Sequence, residues 1–363
     1  MGLGVVHFMG VLMEPLMRPL FNLPGVGSFV LAMGLASGYP LGAILTARLR
    51  ADRLCSRTEA ERLMSTANTA DPLFMTGAVA VGMFNDISVG FVIVAAHYAA
   101  AVMVGLVLGL FNRGRDISRP LESSYMGNIL VRALHVMADA RKKDGRPLGR
   151  LMGDSIRDSV NSLLLVGGFI ILFSVLIRIL SIAGLVDAVS AALTTVVSPF
   201  GWNTAVVPSL VKGLFEITMG AQAASQSAVP LVDRVMAAGA VIAWSGLSVH
   251  AQVAAVTQGT DIRMGTYVFA RFLHAVLAAA ATLLIMGPAR TAMERLAPVL
   301  APAAPSATPV EIPALYAWAM RLEHFSIRFG LLSLILLLCG LIITLGRGPA
   351  PKVIYFGHSR RRR

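Results

Sequence analysis

The stretch Gly34–Ile44, GLASGYPLGAI, decides how this chain is read. It sits in the middle of an apolar run from Val26 to Leu49 and fills that middle with three glycines, a serine, a tyrosine and a proline. A run apolar enough to enter a bilayer but broken at its midpoint leaves backbone N–H and C=O groups unpaired in hydrocarbon, at several kcal/mol each. Such a break survives only where protein, water or ligand supplies the missing partners.

Around this stretch the composition is that of a polytopic membrane protein. Of 363 residues, 56% are hydrophobic and 14% charged, and the mean hydropathy is +0.73. Segments of about 20 apolar residues, enough to cross about 30 Å of hydrocarbon, are read at 3–21, 65–84, 87–111, 160–182, 231–258, 262–287 and 326–346. Two further segments, 26–49 and 203–228, are apolar but interrupted, and 185–200 reads as an interfacial helix. The first segment lacks a positive leader and an A-x-A-like site before Glu14, so it is expected to stay in the product. Its abrupt start leaves room for an upstream span.

The net charge of +12 is gathered in the linker 48–62, the loop 112–159 and the tail ending Arg360–Arg363, which marks all three as cytoplasmic. Basic residues without interleaved aromatics or a binding motif exclude nucleic acid as the partner. In the loop, Met126, Leu130, Ala133 and Met137 recur at helical spacing opposite Arg132, His135 and Asp139, which predicts an amphipathic helix on the membrane surface. Cys55 and Cys339 are too far apart in sequence and setting to suggest a disulfide framework or a metal cluster.

If both interrupted segments enter and leave on one side, the span count returns all three basic regions to the cytoplasm. The hairpin 26–49 then opens inward and the hairpin 203–228 outward. Each is followed by a span with a polar break, NTADPLFMTGAV from Asn68 and WSGLSVHAQVAA from Trp244, and then by one more span. The order recurs at an offset of about 178 residues (Gly34 to Gly213, Asn68 to Trp244) in opposite orientation. The fold class is therefore all-α, with inverted-topology repeats, two re-entrant hairpins and two broken transmembrane helices, the pattern of a secondary transporter. The expected organisation is an N-terminal scaffold segment 1–25, transport repeats 26–111 and 203–287, and the basic loop 112–159 with a scaffold span and interfacial helix 160–202. A Pro/Ala-rich external loop 288–325 and a C-terminal helix and basic tail 326–363 complete it.

The runs MGLASGYPLGAILTARLR, EAERLMSTANTADPLFMTGAVAVGMF, GLFEITMGAQAAS and WSGLSVHAQVAA, in that order, resemble the YlbJ-type integral membrane proteins of spore-forming bacteria, stage V sporulation proteins of the nucleoside-recognition (Gate) superfamily. The likeness extends from about Pro19 to Met286. It implies a fold similar to the concentrative nucleoside transporters, trimers by the same analogy, and movement of dipicolinic acid across the outer forespore membrane. Two departures stand out. The first tip has Ala36, Ser37, Gly38 and Tyr39 where nucleoside transporters carry a Gln-Thr-Glu type tip, which disfavours a nucleoside, and Asp71 adds a carboxylate to the first break.

The substrate-binding candidates are Ser37, Gly38 and Tyr39 at the first tip, Asn68 and Thr69 at the first break, Glu216 and Thr218 at the second tip, and Ser245, Ser248, His250 and Gln252 in the second broken span. Hydroxyls donate to carboxylates, and the Tyr39 ring either stacks on a planar solute or packs. Glu216, a carboxylate at mid-membrane, is functional by default. Beside an anionic substrate it is expected to be protonated or to bind hairpin N–H groups. His250 reads equally as counter-charge, proton relay or packing residue, and Lys212 as a second counter-charge or a side chain snorkelling to the interface. Ser248 and Gln252, four apart, share a helix face. Asn68, Thr69 and Asp71 are also placed to hold a sodium ion, so the coupling ion, sodium or proton, stays open. Arg178, Arg271, His97, Tyr98 and His274 lie in spans, and the two arginines are read as snorkelling. Neither H-E-x-x-H nor G-x-S-x-G occurs, so neither a metal nor a catalytic residue is assigned and an enzyme is not expected. A nucleoside carrier and a membrane scaffold remain as rival readings.

Overall fold

The computed structural model describes residues 2–110, 117–118, 128–198 and 203–287. The expected external loop 288–325, the helix 326–346 and the basic tail lie outside these residues, as do most of 112–127 and the 199–202 end of the interfacial segment. Every regular element among the described residues is helical.

Helix α1 (Val5–Phe21) leads to a pair of short helices, α2 (Gly27–Ser37) and α3 (Leu41–Ala51), separated by Gly38, Tyr39 and Pro40. Helix α4 (Arg57–Ala67) opens on a capping box, in which Glu59 N–H donates to Ser56 Oγ at 3.2 Å and Ser56 N–H to Glu59 Oε2 at 2.8 Å. The chain then loses helical form over Asn68–Asp71, and after Pro72 resumes as a wide π-helical segment, Phe74–Met83. Proline lacks the N–H that would carry the helix across. Helices α5 (Ile87–Leu110), α6 (Ile129–Asp144), α7 (Leu148–Ile182) and α8 (Leu185–Val197) follow. A second pair, α9 (Val207–Phe215) and α10 (Ile217–Gln226), is divided by Glu216 alone, and α11 (Leu231–Trp244) and α12 (Gly246–Thr257) are divided by Ser245 at φ 72°. Helix α13 (Met264–Met286) closes the described fold.

Four runs among the described residues are long and apolar enough to cross a membrane: 87–110, 148–182, 231–257 and 264–286. The expected span at 160 begins at Leu148, inside the supposed loop. At 35 residues and about 1.5 Å each, α7 exceeds the hydrocarbon thickness, and its first turns carry Arg150, Asp154, Arg157 and Asp158. The segment 3–21 forms only 17 helical residues, and 65–84 is split by its break. The loop helix forms as α6, capped by Asn128 on Leu130 N–H at 3.1 Å, but one seam of it lies on α1 rather than on lipid. Ala133 is fully buried and Gly4 abuts the Met137 carbonyl, whereas Leu130, Val131 and Leu134 stay exposed.

Glycines set the close approaches. A Cβ on Gly34 or Gly42 would stand 2.0 or 2.6 Å from the Ala67 carbonyl oxygen, so α2 and α3 both rest on the end of α4. A Cβ on Gly220 would stand 2.3 Å from Gly213 Cα, which fixes the sharp fold of α9 on α10. At one end of the bundle, ion pairs tie the elements: Arg50 to Asp261 at 2.7 Å, Arg263 to the buried Glu61 at 2.9 Å, and Arg48 to Asp158 at 2.5 Å. Elsewhere Phe84 packs with Val206 and Ala224, and Met286 with Met83 and Phe84 around one core cluster.

Two outcomes follow. Gly220→Val forces backbone apart, and overpacking of about 1–3 kcal/mol lowers the melting temperature of the detergent-purified protein by about 5 °C or more. Gly168→Ala, with nothing within 4 Å of the new Cβ, leaves it unchanged. At the α6–α7 corner, Arg146 donates to Asp144 Oδ2 at 2.7 Å and holds that carboxyl down at about 2, below the usual aspartate range. A depressed carboxyl stabilises above its unfolded pKa and stops doing so as pH falls through the folded one. Amide protection at this corner, measured relative to the intrinsic exchange rate at each pH, should therefore fall between about pH 4 and pH 2, and Asp144→Asn should abolish that step.

Candidate functional site

Each tip rests on the break that follows it in sequence. Gly38, at φ 75°, lies against Asp71, where a Cβ would meet the carboxylate at 2.6 Å. Gly246, at φ 68°, lies against Phe215 and Glu216, with 2.9 Å from a Cβ to the Phe215 carbonyl. The two halves also meet: Tyr39 Oη donates to the Ile242 carbonyl at 3.1 Å, three residues before the second break, and α3 packs on α12. Tyr267 of α13 joins both breaks. Its hydroxyl accepts from Asn68 Nδ2 at 2.9 Å and lies 3.5 Å from Ser245 Oγ, and its ring is 5.1 Å from the His250 ring.

The backbone groups freed at the first break find partners in side chains from two other elements, α13 and α5. Arg271 donates to the Asn68 carbonyl at 2.9 Å and to the Ser65 carbonyl, closing the end of α4 where carbonyls are orphaned and the dipole is negative. Ala70 N–H donates to His97 Nε2 at 3.2 Å, so His97 carries its proton on Nδ1. The Ala70 carbonyl accepts from Tyr98 Oη at 3.2 Å, and the same hydroxyl reaches the Leu35 carbonyl of the first tip at 2.8 Å. Asp71 Oδ1 accepts from Phe74 N–H at 2.8 Å and so starts the π-helical segment, a role the sequence left undefined.

Glu216 does the same for α10. Its Oε2 accepts from Thr218 N–H at 2.8 Å, from Met219 N–H at 2.9 Å, and from the Thr218 hydroxyl. Of the two expectations for this residue, binding hairpin N–H groups is the one observed. At the second break, Trp244 Nε1–H donates to the Leu214 carbonyl at 3.1 Å, and His250 Nδ1–H to the Gly246 carbonyl at 2.7 Å.

Along 291 residues, 80% of this chain and 71% of the relative, the sequence is 44% identical to the sporulation integral membrane protein YlbJ of Bacillus subtilis (strain 168). The chain belongs to the YlbJ family. A family model described as nucleoside recognition, Gate, matches residues 163–289, which hold the second tip, the second break, Tyr267 and Arg271. No solved structure matches the chain. It is thus an integral membrane protein of a sporulation family, built of helices.

In this YlbJ-family protein the structure gathers Tyr39, Asn68, Ser245 and His250 around Tyr267. Thr69 and Asn68 are fully buried, and Thr69 Oγ1, Asn68 Oδ1 and His250 Nε2 have no hydrogen-bond partner. Gln252 Nε2 donates to Ser248 Oγ at 3.4 Å, on the shared face expected of them. Gly38, Glu216 and Thr218 build the tips themselves. Ser37 is exposed and stands apart from this group. Among the described residues no trio of His, Cys, Asp or Glu is placed to hold a metal.

The reading of Arg271 as a snorkelling side chain is overturned: it is 0% exposed, and its guanidinium lies 5.5 Å from the Tyr267 ring. A guanidinium fork spans two carbonyls at once, and a shorter reach to lipid headgroups offers nothing comparable. His274 is equally buried and donates to the His97 carbonyl at 2.8 Å. The missed signal was periodic, because Tyr267, Arg271 and His274 at i, i+4 and i+7 form one polar stripe on an otherwise apolar helix. Arg271→Lys keeps the charge but cannot bridge Ser65 and Asn68. It is expected to cost about 1–3 kcal/mol for an unsatisfied carbonyl and to speed amide exchange at 65–71, with Glu61–Arg263 contacts preserved. Unchanged exchange would dismiss the bridging role.

Proposed function

We propose that this YlbJ-family protein carries a small planar dianion, dipicolinate, across the outer forespore membrane, and that its two hairpins enter the bilayer from opposite faces. The opposed entry is supported by what each hairpin's open end touches. Arg50, at the end of α3, pairs with Asp261 before α13, whereas Val206 and Ala224 of the second hairpin lie with Phe84, which shares a cluster with Met286 at the far end of α13.

One observation carries the anion. Four helices start directly after an interruption, and two of them have side-chain carboxyls on their first turns, Asp71 for the π-helical segment and Glu216 for α10. The other two, α3 after Pro40 and α12 after Ser245, have no side-chain cap. Those two helices pack on each other, with Tyr39 beside the second start. Uncapped N-termini present free N–H groups and a partial positive charge, which is what a carboxylate binds. A dicarboxylate of a planar ring suits the pair, one carboxylate to the Gly42 and Ala43 amides, since Leu41 N–H donates to the Gly38 carbonyl at 3.0 Å, and the other to the 246–248 amides, with the ring along Tyr39. Ser245 and Asn68 add donors, and the fixed cation Arg271 behind Tyr267 sets the sign of the site. Asp71 and Glu216, each bonded to N–H groups of its own helix, hold the tips without contesting the substrate.

The nucleoside-recognition description of the Gate match favours a second reading, a nucleoside carrier. Uptake of labelled dipicolinate and of uridine into vesicles containing the purified protein separates the two. The expected result is saturable dipicolinate uptake, with Ser245→Ala raising KM about tenfold, or about 1.4 kcal/mol. Saturable uridine uptake without dipicolinate uptake would reverse the assignment.

A further inference from the structure

The second hairpin carries a cleft that meets the tip contacts only at Thr218 and Met219. It encloses about 600 Å³ and runs between α9 and α10, with Met83 on its other side. Thr218, Gln222 and Gln226 line it at i, i+4 and i+8, one face of α10 over a rise of about 12 Å. Gln226 lies at the open end of the hairpin. Thr218 lies at the tip, where its hydroxyl meets Glu216 and Glu216 meets Gly246 of the second break. The cleft therefore leads from the end of the bundle to the edge of the central cluster. Ser209 and Lys212 line its α9 side, and Lys212 is the one charged side chain among the described lining residues. The hydroxyls of Ser209, Thr218 and Ser227 donate within the hairpin, to the Val206 carbonyl, Glu216 and the Ala223 carbonyl, so the two glutamine amides and the single ammonium supply the donors of the wall, which carries net positive charge.

We infer that this cleft is an anion-selecting access vestibule, in which Lys212 draws a small carboxylate toward the second tip before it reaches the uncapped helix starts. The inference rests on the carrier reading for the identity of the solute and not for the sign of its charge. A lone ammonium on the wall of an open cleft acts through its potential, so it raises local anion concentration rather than fixing a pose. Gln222 and Gln226 supply the sequential hydrogen bonds along the way. Reading Lys212 only as a cation near the end of α9 predicts no preference among solutes.

The test uses the full chain with Cys55→Ser and Cys339→Ser, and Ala223→Cys on the cleft wall, reacted in vesicles with an anionic sulfonatoethyl or a cationic trimethylammonioethyl methanethiosulfonate. With Lys212 present, the ratio of anionic to cationic labelling rates should exceed that of Lys212→Met by about tenfold, the low end of what charged clefts produce, and the difference should shrink in high salt. Lys212→Arg should retain the ratio, which separates charge from folding. Equal ratios in Lys212 and Lys212→Met would overturn the vestibule. Dipicolinate should slow the labelling and uridine should not. A charge preference without protection by dipicolinate would uphold the vestibule and count against dipicolinate as the solute.

Discussion

The guanidinium of Arg271 on the carbonyls of Ser65 and Asn68 is the contact on which the centre of this molecule depends. A helix that stops inside a bilayer exposes carbonyls at the negative end of its dipole, and hydrocarbon offers them nothing. Arg271 closes that end from α13, and Tyr267, one turn earlier, reaches Asn68 and approaches Ser245. One stripe of one helix thus holds both interruptions in register. An arginine fully removed from solvent is costly. Here none of the ion pairs among the described residues includes Arg271, and backbone carbonyls do the solvating.

The four interrupted starts divide by how their first turns are satisfied. Asp71 and Glu216 accept from the first-turn N–H groups of two helices and so set them going, which gives each of these acidic side chains its hydrogen-bond partners. The α3 and α12 starts lack such a group, and Asn68 Oδ1, Thr69 Oγ1 and His250 Nε2, of the first break and of α12, are among the buried polar atoms without partners. Buried polar atoms are ordinarily bonded.

Glycine makes the arrangement possible at the level of backbone contact. Gly34 and Gly42 let the first pair of helices sit on the Ala67 carbonyl, and Gly213 and Gly220 let the second pair touch each other, with Val241 against both. Any side chain at these places would separate elements whose breaks satisfy one another. The basic ends behave differently, since Arg50 and Arg48 pair with Asp261 and Asp158 on the rim, where solvent screens the pairs and their contribution is modest, while the exposed Arg263 reaches the buried Glu61.

Much of this was legible in the residues alone, for local reasons. Apolar run length announced the membrane, Pro40 and Pro72 with their glycines announced the interruptions, and Ser248 and Gln252 announced a shared face, because each depends on neighbours within a turn or two. The loop helix was visible in its spacing, but not that Ala133 and Met137 would lie on α1. Tertiary structure alone decided which carbonyl each buried side chain serves. Nothing near Arg271 in sequence names Ser65 and Asn68, about 200 residues away, and so a cation that looked bound for the headgroups became the lock on the first break. Glu216 shows the converse: its cost was plain from its setting, and only the fold of α10 onto it revealed that the N–H groups two and three residues on donate to it. Pattern tells where a membrane chain must break, and contacts across the bundle tell what makes the break bearable.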